Sequence, residues 1–395
     1  MKKTVVCVAM LLVGMSGVSA QNKEGGISEA MLERIRSGYA ATPEQKAVKN
    51  ALASNSIAAL AVNSENLAMC DTHFSHRVTT RGITNQKSSG RCWLFTGLNV
   101  LRAKMIREYD LPEFEFSQNY CSFYDLLEKS NLFLQAVIDT RDAGLDDRKV
   151  DWLMKNPIGD GGQFTGVSNL IMKYGVVPKS AMPETYQSDN TSGMTSILKQ
   201  KLREYALELR AMQPAKIQDR KTEMLTEIYR ILVECLGVPP TEFEWTYYDK
   251  SGNEVTRRTY TPKSFYDEFI GEDLERNYVM IMNDPSREYG KVYEIEYDRH
   301  VYDGENWLYV NLPIERIKEI AIASIKDNTA MYFSCDVGKF MDRAKGTLDL
   351  KNFDYESLFA TSFPMDKRER IQTFASGSSH AMTLIAVDLN EAEDP

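Results

Sequence analysis

A polar loop that breaks into a buried helix is the strongest constraint on this chain. Asn85 to Arg91 holds Gly90 and no large apolar side chain; Leu94, Leu98, Leu101 and Met105 then recur at spacings of four, three and four. That is the period of a single buried helical face. Ser88 or Ser89 is the expected N-cap, which places Cys92 in the first turn. Unpaired backbone N–H groups and the helix dipole favour an anion there, so the thiol should ionise more readily than usual. The competing reading is an inert cysteine packed into a loop-to-helix turn.

Composition narrows the partners. The chain has 395 residues, enough for two or three packed units, with 43% apolar and 26% charged residues, the balance of a folded globular protein. Its formal charge is −9. Removing Lys2 and Lys3 with a leader takes this to −11, a surface that repels phosphate, so no nucleic-acid partner is expected. Lys2 and Lys3, the short apolar stretch Thr4 to Val13 and the small residues Val18-Ser19-Ala20 read as a secretory signal cleaved after Ala20. Export to the periplasm or medium is therefore expected. No stretch reaches bilayer-spanning length. Outside Cys7, five cysteines remain, an odd number that leaves at least one thiol free.

Other segments carry weaker signals. Cys70, His73 and His76 are spaced by three, which on a helix would gather a zinc set; on a strand the two histidines would point to opposite faces. No fourth ligand lies nearby, and no metal is assigned. Asn156 to Gly166 is a Gly-rich loop without the Lys-Ser/Thr ending of a phosphate loop. Its adjacent Gly161 and Gly162 suit close approach of another backbone. Ser28 to Ser37 and Pro43 to Ala53 read as short helices. Leu198, Leu202, Leu207, Met224, Ile228 and Leu232 predict a helical hairpin broken near Pro214, followed by a β-hairpin around Ser251-Gly252-Asn253. Strands are expected at Tyr278 to Met282, Tyr293 to Tyr297, Trp307 to Val310 and Ala330 to Ser334, with a helix over Ile314 to Lys326. His380 opens a last strand, Ala381 to Val387, apolar on both faces and so expected to be buried.

Gln86, Cys92-Trp93 and a late His380 resemble the papain-like cysteine peptidases, and more closely the bleomycin hydrolase, or aminopeptidase C, family. The run Thr84-Asn85-Gln86-Lys87-Ser88-Ser89-Gly90-Arg91-Cys92-Trp93-Leu94-Phe95 is similar to that branch's active-site signature. Asp160 to Gln163, Tyr174 to Lys179, Ala330 to Lys339 and Ser379 to Val387 resemble the same family, so the likeness runs from about residue 60 to the end. It implies a papain-like α+β fold with a helical lobe carrying the nucleophile (61–190) and a β lobe (276–395); with the segments read from the residues, the expected order is signal peptide (1–20), N-terminal extension (21–60), helical lobe, helical and hairpin insertion (191–275) and β lobe.

The same resemblance implies the chemistry. Cys92 would be the nucleophile, His380 its imidazolium partner and Gln86 an oxyanion-hole donor; Gly161 and Gly162, with Trp93, would bind substrate. The implied activity is removal of N-terminal residues from peptides through an acyl-enzyme. No cofactor is implied, and a ring of six subunits is. The sequence departs from the family at both ends. The familiar members are cytosolic and lack the leader. At the other end, Pro395 follows His380 by fifteen residues. The Asn that orients the histidine ring and the tail that restricts attack to chain ends are both missing, so the C-terminus reads as truncated. The alternatives are a cysteine endopeptidase with an open cleft, or a catalytically impaired relative that binds peptides without turnover.

Overall fold

The computed structural model describes residues 25–39 and 41–392, in two compact units. The smaller holds the described residues up to Val62 together with Asp354–Ala360. Its helices Glu29–Ser37 and Pro43–Leu52 start where the sequence predicts, on Ser28 and on a Thr42/Gln45 capping box with Pro43 in the first turn.

The larger unit, Asn63–Phe353 with the described residues from Thr361 onward, carries the candidate site. It is a mixed α+β arrangement with the helices in a common core. Helix Cys92–Glu108 buries Leu94, Leu98, Leu101 and Met105 at 1% exposure or less, each contributing roughly 1.5–3 kcal/mol by removal from water. Beside it run Gln118–Asp139 and Phe164–Tyr174. The predicted helical hairpin is present as Ser192–Ala211 and Ile217–Leu236, but Leu207 is exposed. Tyr205, Ala206 and Leu209 continue the buried stripe from Leu198 and Leu202 instead, because a residue nine positions beyond Leu198 falls off its face at 3.6 residues per turn. The β-hairpin pairs Phe243–Tyr248 with Glu254–Tyr260, and its Trp245 packs edge-on against Phe265 and Phe269 of helix Pro262–Phe269.

The β portion is divided among small sheets. Trp307–Asn311 lies between Ile281–Met282 and Lys291–Ile295, and helix Ile314–Lys326 follows as the sequence predicts. Met331–Cys335 pairs antiparallel with His380–Leu384, in a register that sets His380 against Cys335 and Thr383 against Tyr332. This ribbon packs on the Cys92 helix. The last strand is not buried on both faces as expected. Only Ala381 is buried, and the strand breaks at Ile385, whose carbonyl turns to accept the Val78 N–H. Among the described residues, no helix is long and apolar enough to cross a membrane.

Candidate active site

Cys92 is the first residue of its helix, half-buried and a free thiol. The N-cap is Arg91, and no side chain caps the helix; the predicted serine cap is not used. Ser89 turns back to donate its hydroxyl to the Gln86 carbonyl at 2.7 Å, and the Gln86 Nε2 donates to the Ser89 carbonyl at 2.5 Å. Among the described residues no hydrogen bond takes up the Cys92 N–H, and the Gln86 amide group has one of its two hydrogens engaged at Ser89. Lys87 takes a left-handed φ of 54° within this loop.

The loop is fastened from elsewhere in the chain. Asp160 accepts the Gly90 N–H at 2.7 Å and a hydroxyl hydrogen bond from Thr191. Arg91, 1% exposed, forms an ion pair with Glu184 at 2.9 Å and lies over the Phe95 ring. The Ser88 N–H donates to the Asp189 carbonyl. A polar cavity of about 530 Å³ opens in front of the loop, lined by Lys87, Ser89, Gly90, Asp160, Thr195 and Lys199 among others.

His380 opens its strand, part-buried, on the ribbon that packs against the Cys92 helix. No hydrogen bond joins its ring to Cys92 among the described residues. Burial, and then the Arg343 charge, push its pKa below the ordinary imidazole value. Tyr332, from the paired strand, is part-buried, and its hydroxyl oxygen is buried without a partner. Burial first, then the nearby Cys92 thiol and Asp298, push its phenol pKa up. The ribbon thus brings a phenol within electrostatic reach of the thiol, a neighbour to which no sequence pattern points.

Trp93 is 1% exposed. This corrects its assignment as a substrate contact: the indole N–H donates to the Asp160 carbonyl at 2.8 Å and the ring meets His300 edge-on at 4.5 Å, so no surface remains for a ligand. Gly161 is exposed, with open space where a Cβ would stand. Gly162 is different. A Cβ there would fall 2.2 Å from His300 Cε1 and 2.9 Å from Trp93 Cδ2. The close approach at Gly162 is made by two internal rings, not by another backbone.

Cys70, His73 and His76 are not gathered on a helix. Cys70 follows the short helix Ser64–Ala68, His73 pairs with Asp388 at 3.8 Å, and His76 opens a two-residue strand against Val387. Among the described residues no group of three His, Cys, Asp or Glu side chains could hold a metal ion.

A cluster missed by sequence reasoning lies beneath the Gly-rich loop. His300, buried, meets Asp125 of helix Gln118–Asp139 at 2.5 Å, and Asp125 pairs with Lys129 at 2.8 Å. Burial and the Lys129 charge push the His300 pKa down, against the pull of Asp125. Burial alone would raise the Asp125 pKa; Lys129 and His300 outweigh it and hold the carboxyl below its ordinary value. The only available signal was Asp125 and Lys129 at one-turn spacing, which is common on solvent-facing helices.

Over residues 26–395 the chain matches the model of the Peptidase C1-like family. It is 37% identical over 370 residues to aminopeptidase C of Lactobacillus delbrueckii subsp. lactis, covering 92% of this chain and 82% of that protein. It is 39% identical over 334 residues to bleomycin hydrolase of Homo sapiens, covering 81% of this chain and 73% of that one. Among solved structures, the crystal structure of PepW from Lactobacillus rhamnosis HN001 superposes with a TM-score of 0.89 at 39% identity, over 93% of this chain and 84% of that one. These matches bear out the papain-like α+β fold. They overturn the expectation of export, because the matched aminopeptidases C are intracellular enzymes. The stretch Lys2–Ala20 on which export rested lies outside the described residues.

Proposed function

This chain belongs to the Peptidase C1-like family and is a cysteine peptidase, and from that premise we propose that it removes N-terminal residues from peptides with Cys92 as nucleophile. The observation that carries the reading is the position of Cys92: the first residue of a 17-residue helix, with its own N–H unclaimed and Gln86 Nε2 in the same loop. The helix N-terminus favours the thiolate. The thiolate attacks the carbonyl of the first peptide bond, and the oxyanion takes hydrogen bonds from the Cys92 N–H and Gln86 Nε2. Removing one such donor typically costs about 10²–10³ in kcat. His380, carried on the ribbon against the Cys92 helix, protonates the departing amine, and water then releases the acyl group from sulfur. The exposed Gly161 backbone lies along the substrate. The resemblance to the bleomycin hydrolase family supports assembly into a ring of six, which sedimentation of the full chain would test.

The test compares fluorophore release from a free-amine aminoacyl substrate with release from the same residue in an N-acetylated peptide, using Cys92→Ala as control. Cleavage of the free-amine substrate alone, lost in the control, is the expected result. Cleavage of the blocked peptide would identify an endopeptidase. Silence on both would remove the hydrolytic reading.

A further inference from the structure

The Gly159–Gly162 turn is held from below by one ammonium group. Lys129 Nζ donates to the Gly161 carbonyl at 2.7 Å, to the Gly159 carbonyl at 3.1 Å and to Asp125 Oδ2 at 2.8 Å. An ammonium has three donors, and all three are used. The same Nζ stands 5.3 Å from the centre of the Trp93 ring. Asp125 is in turn fixed by His300 on its other oxygen at 2.5 Å, and the His300 ring is enclosed by Gly162 and Gly166, where a Cβ would fall 2.2 Å and 2.5 Å from it. The side chains of Asp125 and His300 are each 3% exposed and that of Lys129 14%. A lysine whose donors close on two carbonyls either side of Asp160 does more than neutralise a buried carboxylate, for which the Asp125 contact alone would serve. It sets the backbone geometry of the turn.

We propose that Lys129, held by Asp125 and His300, is a positioning residue for the peptidase reaction: it fixes the Gly159–Gly162 turn so that the exposed Gly161 backbone lies at the height and angle that substrate requires beside Cys92. The inference rests on the aminopeptidase reading above. Lys129 touches neither the thiol nor the substrate and acts through the turn. Its loss therefore weakens binding that ground state and transition state share, and it appears in KM and not in kcat.

The experiment uses the full chain and the free-amine aminoacyl substrate. Lys129→Met strands the buried Asp125 carboxylate, so Asp125→Asn/Lys129→Met is made beside it, removing both charges together; Lys129→Gln, which keeps a donor for one carbonyl, is the mildest of the three. Losing or misplacing one or two backbone hydrogen bonds to substrate is worth on the order of ten- to a hundredfold in binding. In the double variant we expect KM to rise about ten- to a hundredfold, kcat to stay within about threefold, and the rate of Cys92 alkylation by iodoacetamide to stay within about twofold. Lys129→Gln should give an intermediate KM, and it carries the test if the other variants fail to fold. A folded variant with wild-type KM overturns the proposal. So does a loss confined to kcat, or one matched by slower alkylation, since either places the effect at the thiol. A wild-type chain silent on the substrate defeats the peptidase reading itself and this inference with it.

Discussion

Adding one methyl group at Gly162 should damage the fold, while the same change one residue earlier should not. At Gly162 a Cβ would stand 2.2 Å from His300 Cε1, 2.6 Å from His300 Nε2 and 2.9 Å from Trp93 Cδ2. Neither ring can yield easily. His300 is tied to Asp125 at 2.5 Å and Trp93 to the Asp160 carbonyl at 2.8 Å, and both are buried. Overpacking in a filled core costs about 1–3 kcal/mol, and weakening the bond to the buried Asp125 carboxylate adds about 1–3 kcal/mol. Gly162→Ala is therefore expected to lose about 3 kcal/mol or more. At Gly161 a Cβ meets nothing within 4 Å and the backbone is not left-handed, so Gly161→Ala should stay within about 0.5 kcal/mol of wild type or gain slightly from a stiffer unfolded chain. Urea unfolding of both variants, followed by tryptophan fluorescence, reads the difference as a shift in midpoint. Equal midpoints for the two would refute the assignment of the close approach to internal rings. Gly161→Ala, intact in fold, should still lower kcat/KM if substrate lies along that backbone.

Other consequences are open to direct measurement. Cys92→Ala should abolish hydrolysis while Cys121→Ala keeps it, because burial, with Asp125 nearby, pushes the Cys121 thiol up to about 12; mass spectrometry after brief alkylation at neutral pH should find Cys121 unmodified in the native protein. Arg91→Met breaks a buried pair with Glu184 and should cost about 3–5 kcal/mol in unfolding free energy, much of it recovered in Arg91→Met/Glu184→Gln. Stability should also fall on mild acidification. The folded-state pKa of His300 lies below the ordinary imidazole value, so the unfolded chain takes the proton first and stability drops as pH falls through about 6.5. Asp125, held below its ordinary value, adds a loss only below about pH 4. The urea midpoint should therefore decrease between pH 7.5 and 5.5, with a smaller decrease in His300→Gln; an identical slope in that variant would exclude His300 as the source.

What could be read from the sequence follows the range of the interactions involved. The Cys92 helix, the pair Ser192–Ala211 and Ile217–Leu236, and helix Ile314–Lys326 announce themselves because their stripes and breaks are local. The serine N-cap failed because a residue 70 positions away, Asp160, takes the Gly90 N–H and leaves Ser89 free to close the loop on Gln86. The burial of Trp93 and the true neighbour of Gly162 were hidden for the same reason, since both depend on His300, which joins Asp125 across 175 positions. The spacing of Cys70, His73 and His76 shows the converse limit: a regular interval of three means a shared face only if a helix forms, and residues 70–75 form none.

The fastening of the Gln86–Arg91 loop carries a consequence for its fluctuations. Its ties run to Asp160, Glu184 and Asp189, and Asp160 in turn accepts the hydroxyl of Thr191 beside the start of helix Ser192–Ala211. Opening the loop therefore requires releasing contacts made by a segment about a hundred residues downstream. Local opening in proteins proceeds by cooperative units, and here the unit joins both segments. Amide exchange at Ser88 and Gly90 should thus slow and quicken in step with that at 189–195, and substitutions that loosen the downstream segment should change how often the thiol's surroundings come apart.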